Sequence, residues 1–293
     1  MSIEAPDYPS LLHQSDGGAR RAQSTHLAFL WGQLGLLAAS SFLGVGSVLV
    51  PAPQWAYTAV ALLLASSALL GLLDRAMSLQ AAWFDCRAVA ESAKTLSWRY
   101  MMGSAPYHRG QDERAVDTRF AADLLAVVRA RPGVETHFAG TAAPTTYITD
   151  SMRQLRRRTL AERKTAYLGM RLDAQKGWYG EKAERCRLSG RTWTCTSLTL
   201  QGLAVLAVIS FRSLLGACLV SAAATLASAS VAWFQTRRFE EFASAYALAA
   251  QELDSLRPRL EQGDSEEALS ESVVQVEETI SREHTMWIAR RTA

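Results

Sequence analysis

The chain has 293 residues, of which 49% are apolar and 20% charged, with a formal charge of +3. The averages hide a segregation. Apolar residues gather in two blocks, 27–73 and 194–235, while the remainder is heavily charged, which excludes one soluble core with its apolar residues spread periodically. Four cysteines, Cys86, Cys186, Cys195 and Cys218, contain no Cys-x-x-Cys pair and no His at ligand spacing. They argue against a disulfide framework or a zinc site and read as small reduced hydrophobes.

In chain order, residues 1–24 form a polar N-terminal segment. Glu4, Asp7 and Asp16 and the long apolar run behind them argue against a cleaved signal peptide. Leu27–Val50 and Trp55–Leu73 carry no charge, and each reaches the roughly 20 helical residues that a bilayer core requires. Pro51 and Pro53 between them suit a tight turn. The second block divides at Arg212 into Thr194–Phe211 and Leu214–Phe234. The expectation is an all-α membrane protein with four transmembrane helices in two hairpins and long cytoplasmic helical extensions.

Orientation follows from the flanking cations. Arg20 and Arg21, Arg75 and Arg87, Arg185, Arg187 and Arg191, and Arg237 and Arg238 all lie outside the two turns, which hold only Arg212. Both termini and the middle segment are therefore expected in the cytoplasm. Trp55, Tyr57, Trp193 and Trp233 suit interfacial belts.

Residues 74–103 contain good helix formers and should prolong the second span. Residues 111–130 form an amphipathic helix with Phe120, Leu124 and Val127 or Val128 on one face, stopped by Arg131-Pro-Gly133. The Thr-, Ala- and Pro-rich connector 131–147 divides the chain into a first hairpin unit, 25–130, and a second, 148–293. Thr149 or Asp150 caps a long helix expected to run straight into the third span, with Leu168, Leu172, Tyr179, Ala183 and Cys186 along its apolar face. Beyond the fourth span, Phe239, Phe242, Tyr246, Ala249, Leu253 and Leu256 recur at 3- and 4-residue steps, a heptad seam of the coiled-coil kind that Arg257-Pro258 should end.

The two arms carry opposite charge. Residues 150–191 hold 12 Lys or Arg against 5 Asp or Glu, and residues 240–283 hold 3 against 12. Antiparallel arms would pair, with the seam supplying most of the energy and the charges setting register. The basic run Arg153, Arg156, Arg157, Arg158, Arg163 and Lys164 then has three readings. It is a face paired with the acidic arm, a contact for anionic lipid, or a site for an anionic ligand. No glycine-rich phosphate loop or aromatic interleaving supports the last, and a nucleic-acid partner is not expected.

Inside the apolar blocks, Gln33 and Gln201 lie roughly 10 Å from the cytoplasmic ends of their spans. They read as interhelical hydrogen-bonding groups or as a polar ring formed when hairpins assemble. Ser221, Thr225 and Ser228, with Ala224, make a weakly polar strip that suits close helix packing or a water-lined path. A partial repeat, Gln80-x-x-Trp83-Phe84 against Gln175-x-x-Trp178-Tyr179, recurs at a shift of 95. The histidines at 13, 26, 108, 137 and 284 are scattered. No nucleophile elbow, carboxylate pair or ligand cluster emerges, so neither enzymatic chemistry nor a cofactor is expected.

The string Trp83-Phe-Asp-Cys-Arg-Ala-Val-Ala-Glu-Ser-Ala-Lys-Thr-Leu-Ser-Trp-Arg-Tyr-Met-Met102 behind a hairpin resembles one type of SLATT domain. These are two-transmembrane effectors associated with SMODS nucleotidyltransferases and SLOG sensors. The string Glu162-Arg-x-x-x-Tyr167-x-x-x-Arg171-Leu-x-x-Gln175-x-x-Trp178-Tyr179-x-x-Lys182-Ala183 resembles the start of a second type, and Glu278 to Trp287 its close. Two such units in tandem would cover most of 25–290, leaving out the first 24 residues and the connector. The resemblance implies a bacterial inner-membrane effector of a conflict (anti-phage) system that forms homo-oligomers and permeabilises the membrane on a nucleotide signal or through a sensor protein. It supplies no catalytic residues. A constitutive channel or transporter and a non-conducting scaffold remain alternatives, although the spans lack the intramembrane charge expected of a filter or relay.

Overall fold

The computed structural model describes residues 6–49, 53–138, 146–210 and 214–292, with side chains for all of these except 48–49, 214–215, 217–218 and 282–292. The turns expected at Pro51 and Arg212, the side chains of Cys218, His284 and Trp287, and the connector's residues 139–145 lie outside that description. Among the described residues there is no strand. The α-helices are α1 (Ser10–Leu49), α2 (Gln54–Ala76), α3 (Leu79–Met102), α4 (Glu113–Arg129), α5 (Asp150–Arg157), α6 (Leu160–Tyr167), α7 (Ala174–Ser210), α8 (Leu214–Arg237), α9 (Phe239–Gln262) and α10 (Glu266–Thr292). A 3-10 turn spans Val134–His137, and a π-helical segment, Leu168–Asp173, joins α6 to α7.

These helices are shared between two compact units. A polar unit takes the residues up to Gln23, Gln80–Lys182 and everything from Ala245 on, and an apolar unit takes Ser24–Leu79 and Ala183–Ser244.

The polar unit is built as water-soluble domains are. Trp98, Tyr100, Met101 and Met102 of α3 are fully buried against Phe120 and Leu124 of α4, so the expected face of α4 is its buried face. Asp112 caps α4 by accepting from the Ala115 amide at 3.1 Å. The seam of α9 is buried at Ala249 and Leu253 and part-buried at Tyr246 and Leu256. Its Tyr246 ring lies 5.6 and 5.9 Å from Trp178 and Tyr179.

Several expected boundaries move. Helix α1 starts at Ser10, well before Leu27, because Leu11, Ser15, Ala19 and Ala22 fall on one face and are buried in the polar unit. The helix after Thr149 is not continuous. Thr149 caps α5 as expected, but Thr159 opens α6 with a capping box, accepting from the Glu162 amide while the Glu162 carboxylate accepts from the Thr159 amide. This is the Thr-x-x-Glu pattern that marks a new helix start. The extension of α2 into α3 is interrupted by Ser78 at φ 47°. Pro258 does not end α9, which runs on to Gln262. Proline removes one helical hydrogen bond, but the extra turn buries Leu260 and is held by ion pairs from Arg257 to Asp173 and Glu261.

The apolar unit reverses this pattern. Within 27–73 and 194–235 its described buried residues are Ser40, Ser47, Ala56, Ser67, Ser197, Gly216, Ala222, Ala227, Ser230 and one large side chain, Trp233. Its large aliphatics point outward: Leu62 is 63% exposed, Leu72 65%, Leu206 60% and Ile209 68%. Such a surface is costly in water, and small buried residues are the signature of helices packed in lipid. By length and composition three helical stretches, Ser10–Ser47, Gln54–Met102 and Leu160–Ser210, are long and apolar enough to cross a membrane. Helices α1 and α2 pack through Gly32 beside Leu70 and Gly71 beside Gln33, with Ser67 donating to the Gln33 carbonyl at 3.2 Å. Ser197 of α7 and Ser230 of α8 pair at 2.6 Å, and Ser41 of α1 meets Thr225 of α8 at 3.1 Å.

The C-terminus of α3 ends in a Schellman arrangement. Ser104 donates to the Arg99 carbonyl and Gly103, at φ 66°, to that of Tyr100. A Cβ on Gly103 would lie 2.7 Å from Arg109 Cγ, whereas one on Gly110, also left-handed, would meet open space. Gly103→Ala is therefore expected to lower stability by about 1–2 kcal/mol and Gly110→Ala by less, as read by thermal unfolding followed by circular dichroism.

Candidate functional site

The most concentrated polar chemistry lies inside the polar unit. Glu277 of α10 is completely buried, as is Arg171 of the π-helical segment apart from 1%. The guanidinium grips the carboxylate at both oxygens, Nε to Oε1 at 2.8 Å and Nη2 to Oε2 at 2.6 Å. Tyr167 of α6 donates its hydroxyl to Oε1 at 2.9 Å and Thr95 of α3 donates to Oε2 at 2.8 Å. Four donors saturate the carboxylate's lone-pair sites. Its role is to bring α3, α6, the π-helical segment and α10 onto one point. Trp98 stacks edge-on to Tyr167 at 5.5 Å and donates its indole N–H to the Tyr8 hydroxyl at 3.0 Å. Burial raises the Tyr8 pKa, and nearby Arg171 opposes it.

The basic run resolves into separate tasks. Arg156 is buried over the Tyr100 ring and donates to the carbonyls of Tyr100, Tyr107 and His108 at 2.6, 2.9 and 3.3 Å. Arg163, fully buried, donates to the Met102 carbonyl and pairs with Glu266. Both cations thus neutralise the carbonyl-rich end of α3. Burial lowers the Arg156 pKa from its ordinary value. Lys164 does the same for the end of α9, donating to the carbonyls of Glu261 and Gly263 and to Asp264 at 2.7, 2.9 and 3.1 Å. Arg153 and Arg157 pair with Asp117 and Glu113 of α4, and Arg158 with Glu162. Among the described residues, Arg163 and Lys164 are the two of the six that reach the acidic arm. Elsewhere the two arms meet through Arg171–Glu277, Lys176–Asp254 and Asp173–Arg257. Tyr107 donates to Asp123 at 2.7 Å, and burial followed by that bond pushes its phenol well above the usual value.

Within the apolar unit the candidate polar positions are not drawn together. Gln33 lies over Gly71, half-buried in the first hairpin, while Gln201 faces outward from α7. Ser221 and Ser228 are exposed on α8, and Thr225 turns inward to Ser41. His26 and Asp74, which sequence reasoning did not pair, join the middle of α1 to the C-terminal end of α2 at 2.9 Å. Trp31, Trp193 and Trp233 form a cluster with centroids 4.5–6.1 Å apart.

A bundle that buries serine and alanine and exposes leucine is the apolar part of a membrane protein. Residues 9–164 match the SMODS and SLOG-associating 2TM effector domain 3, and residues 167–287 match the SMODS and SLOG-associating 2TM effector domain 1. The first match alone takes in more than half of the chain, which belongs to this SLATT family and carries two of its domains in tandem. No curated protein and no solved structure matches the chain significantly. The first match includes residues 9–24 and the connector, both of which the sequence resemblance had left out, and the early start of α1 explains the former. The join between the matches, at 164–167, falls at the end of α6.

Removing one partner of a buried ion pair strands the other, whereas replacing both by apolar groups does not. Glu277→Ala is expected to cost about 3–5 kcal/mol, and the double replacement Arg171→Met with Glu277→Leu to recover most of it. Denaturant unfolding of the three proteins in matched detergent measures this.

Proposed function

We propose that the protein is a membrane effector of a bacterial conflict (anti-phage) system that assembles in the inner membrane and permeabilises it on activation. Four spans, Leu27–Val50, Trp55–Leu73, Thr194–Phe211 and Leu214–Phe234, form two hairpins with both termini in the cytoplasm, where the polar unit receives the trigger. The trigger is a nucleotide signal or a sensor protein. The observation that carries this reading is the reversal of burial between the two units, one made for water and one for lipid. Two further facts support it. The matched domains are described as two-transmembrane effectors associated with SMODS and SLOG partners, and in the sequence the arginines, apart from Arg212, flank the outer ends of the two apolar blocks and not their turns, the pattern that the positive-inside rule gives cytoplasmic ends. The Glu277 carboxylate, among the most buried ionic groups of the polar unit, is spent on packing.

The test is to express the protein with its genomic neighbours and follow membrane potential with a sensitive dye. The expected outcome is a polarised membrane at rest and rapid depolarisation after triggering. A membrane that stays polarised in every state overturns the reading, and a steady leak before any trigger favours a constitutive channel.

A further inference from the structure

Gln201 sits on the outer surface of α7, eight residues beyond Trp193 and so about 12 Å further along the helix. Its primary amide offers two donors and an acceptor, and it makes no hydrogen bond among the described residues. If α7 crosses a bilayer, as proposed above, no water reaches this depth and an unmet amide is costly. Thr194, Leu198, Val205 and Val208 share its face at steps of 3 and 4 residues. All are exposed, Leu198 at 63% and both valines at 57%, giving a continuous ridge with one polar group at its middle.

The same unit presents a second set of unmet groups. Ser221 and Ser228 are exposed on α8, and their hydroxyls likewise make no hydrogen bond among the described residues. The inward hydroxyls of Ser197, Ser230 and Thr225 do find partners. Depth can be read from the Ser197–Ser230 contact. Since α7 and α8 run in opposite directions from it, Gln201 is level with residue 226, and Ser228 is about 3 Å closer to the cytoplasmic end. That offset is within reach of a glutamine side chain.

We propose that the Gln201 ridge of one copy docks on the Ser221–Ser228 face of α8 in a second copy, with Gln201 bonding to Ser228. This rests on the reading that the chain assembles in a membrane, and it names the surfaces that do so. A second copy is the occupant because the head-to-tail pairing of α7 with α8 brings the unmet Gln201 amide to the unmet Ser228 hydroxyl. Pairing α7 with α7 would leave the serines unmet. Exposed Ala224 and Ala232 beside the serines allow the close approach this needs. Two different patches on each copy make a heterologous contact, which repeats around a ring or along an open chain of copies.

The experiment uses the full chain in lipid vesicles, with Cys186, Cys195 and Cys218 replaced by Ala and the buried Cys86 retained. Copies carrying Leu198→Cys are mixed with copies carrying Ser228→Cys and oxidised with copper phenanthroline. The expected product is a mixed disulfide dimer, neither variant cross-linking with itself, and a ladder of multimers when one chain carries both cysteines. In an otherwise native chain, Gln201→Leu is expected to weaken association roughly 3- to 10-fold, with Gln201→Asn recovering part of the loss. Self-cross-linking of Leu198→Cys alone, or no cross-link in vesicles where the native chain is assembled, overturns this proposal but leaves the proposed function standing. A native chain that stays monomeric after triggering overturns both.

Discussion

The architecture depends on a change of solvent partway along its long helices. In water the hydrophobic effect rewards hiding large side chains. In lipid that reward vanishes, and what remains is close packing and hydrogen bonding between helices. Helix α1 obeys the first rule at Leu11, Ala19 and Ala22 and the second at Ser40 and Ser47. Helix α7 does likewise, burying Tyr179 in the polar unit and Ser197 in the apolar one. The two units differ in composition because each was fitted to a different medium, although the same helices build both.

In the polar unit, charge is used mainly to finish helices. A helix end leaves carbonyls without partners; α3 ends inside packed structure, and α9 ends nearer the surface at exposed Glu261 and Gln262. Arg156 and Arg163 close one end and Lys164 the other. A run of cations that looks like a docking site for an anion is therefore occupied half by the protein's own backbone and half by its own carboxylates. The exposed pairs of Arg157 and Arg158 add little to stability on general grounds, whereas the buried grip of Arg171 on Glu277 fixes which helices meet. Such pairs serve specificity more than net stabilisation.

Much of this was legible in the sequence. The apolar blocks, the face of α4, the Thr149 cap and the α9 seam all follow from local periodicity and composition. The Thr159-x-x-Glu162 box was also legible, but the good helix formers around it argue for continuity, and only the observed box identifies Thr159 as a helix start. The Glu277 site was not legible. Glu277 is one of 12 acidic residues in its arm and Arg171 one of 12 basic residues in the other, and nothing local distinguishes the pair that tertiary packing buries. Gln201 stood out as polar in an apolar stretch, yet its outward direction depends on which face of α7 meets α8.

The π-helical segment carries one consequence of its own. Its wide turn inserts an angular offset between Tyr167 and α7, so that the faces before and after it do not follow from a single helical wheel. Closing Leu168–Asp173 to ordinary α-helix at unchanged length would swing everything after it by about 100°, whereas a chain one residue shorter there could close the turn and keep the register. With that swing Tyr179 would leave its stacked position at Tyr246, and Lys176 would leave Asp254. Length and helix type within these six residues are thus coupled, even where, as at exposed Gly169, the side chain contributes nothing.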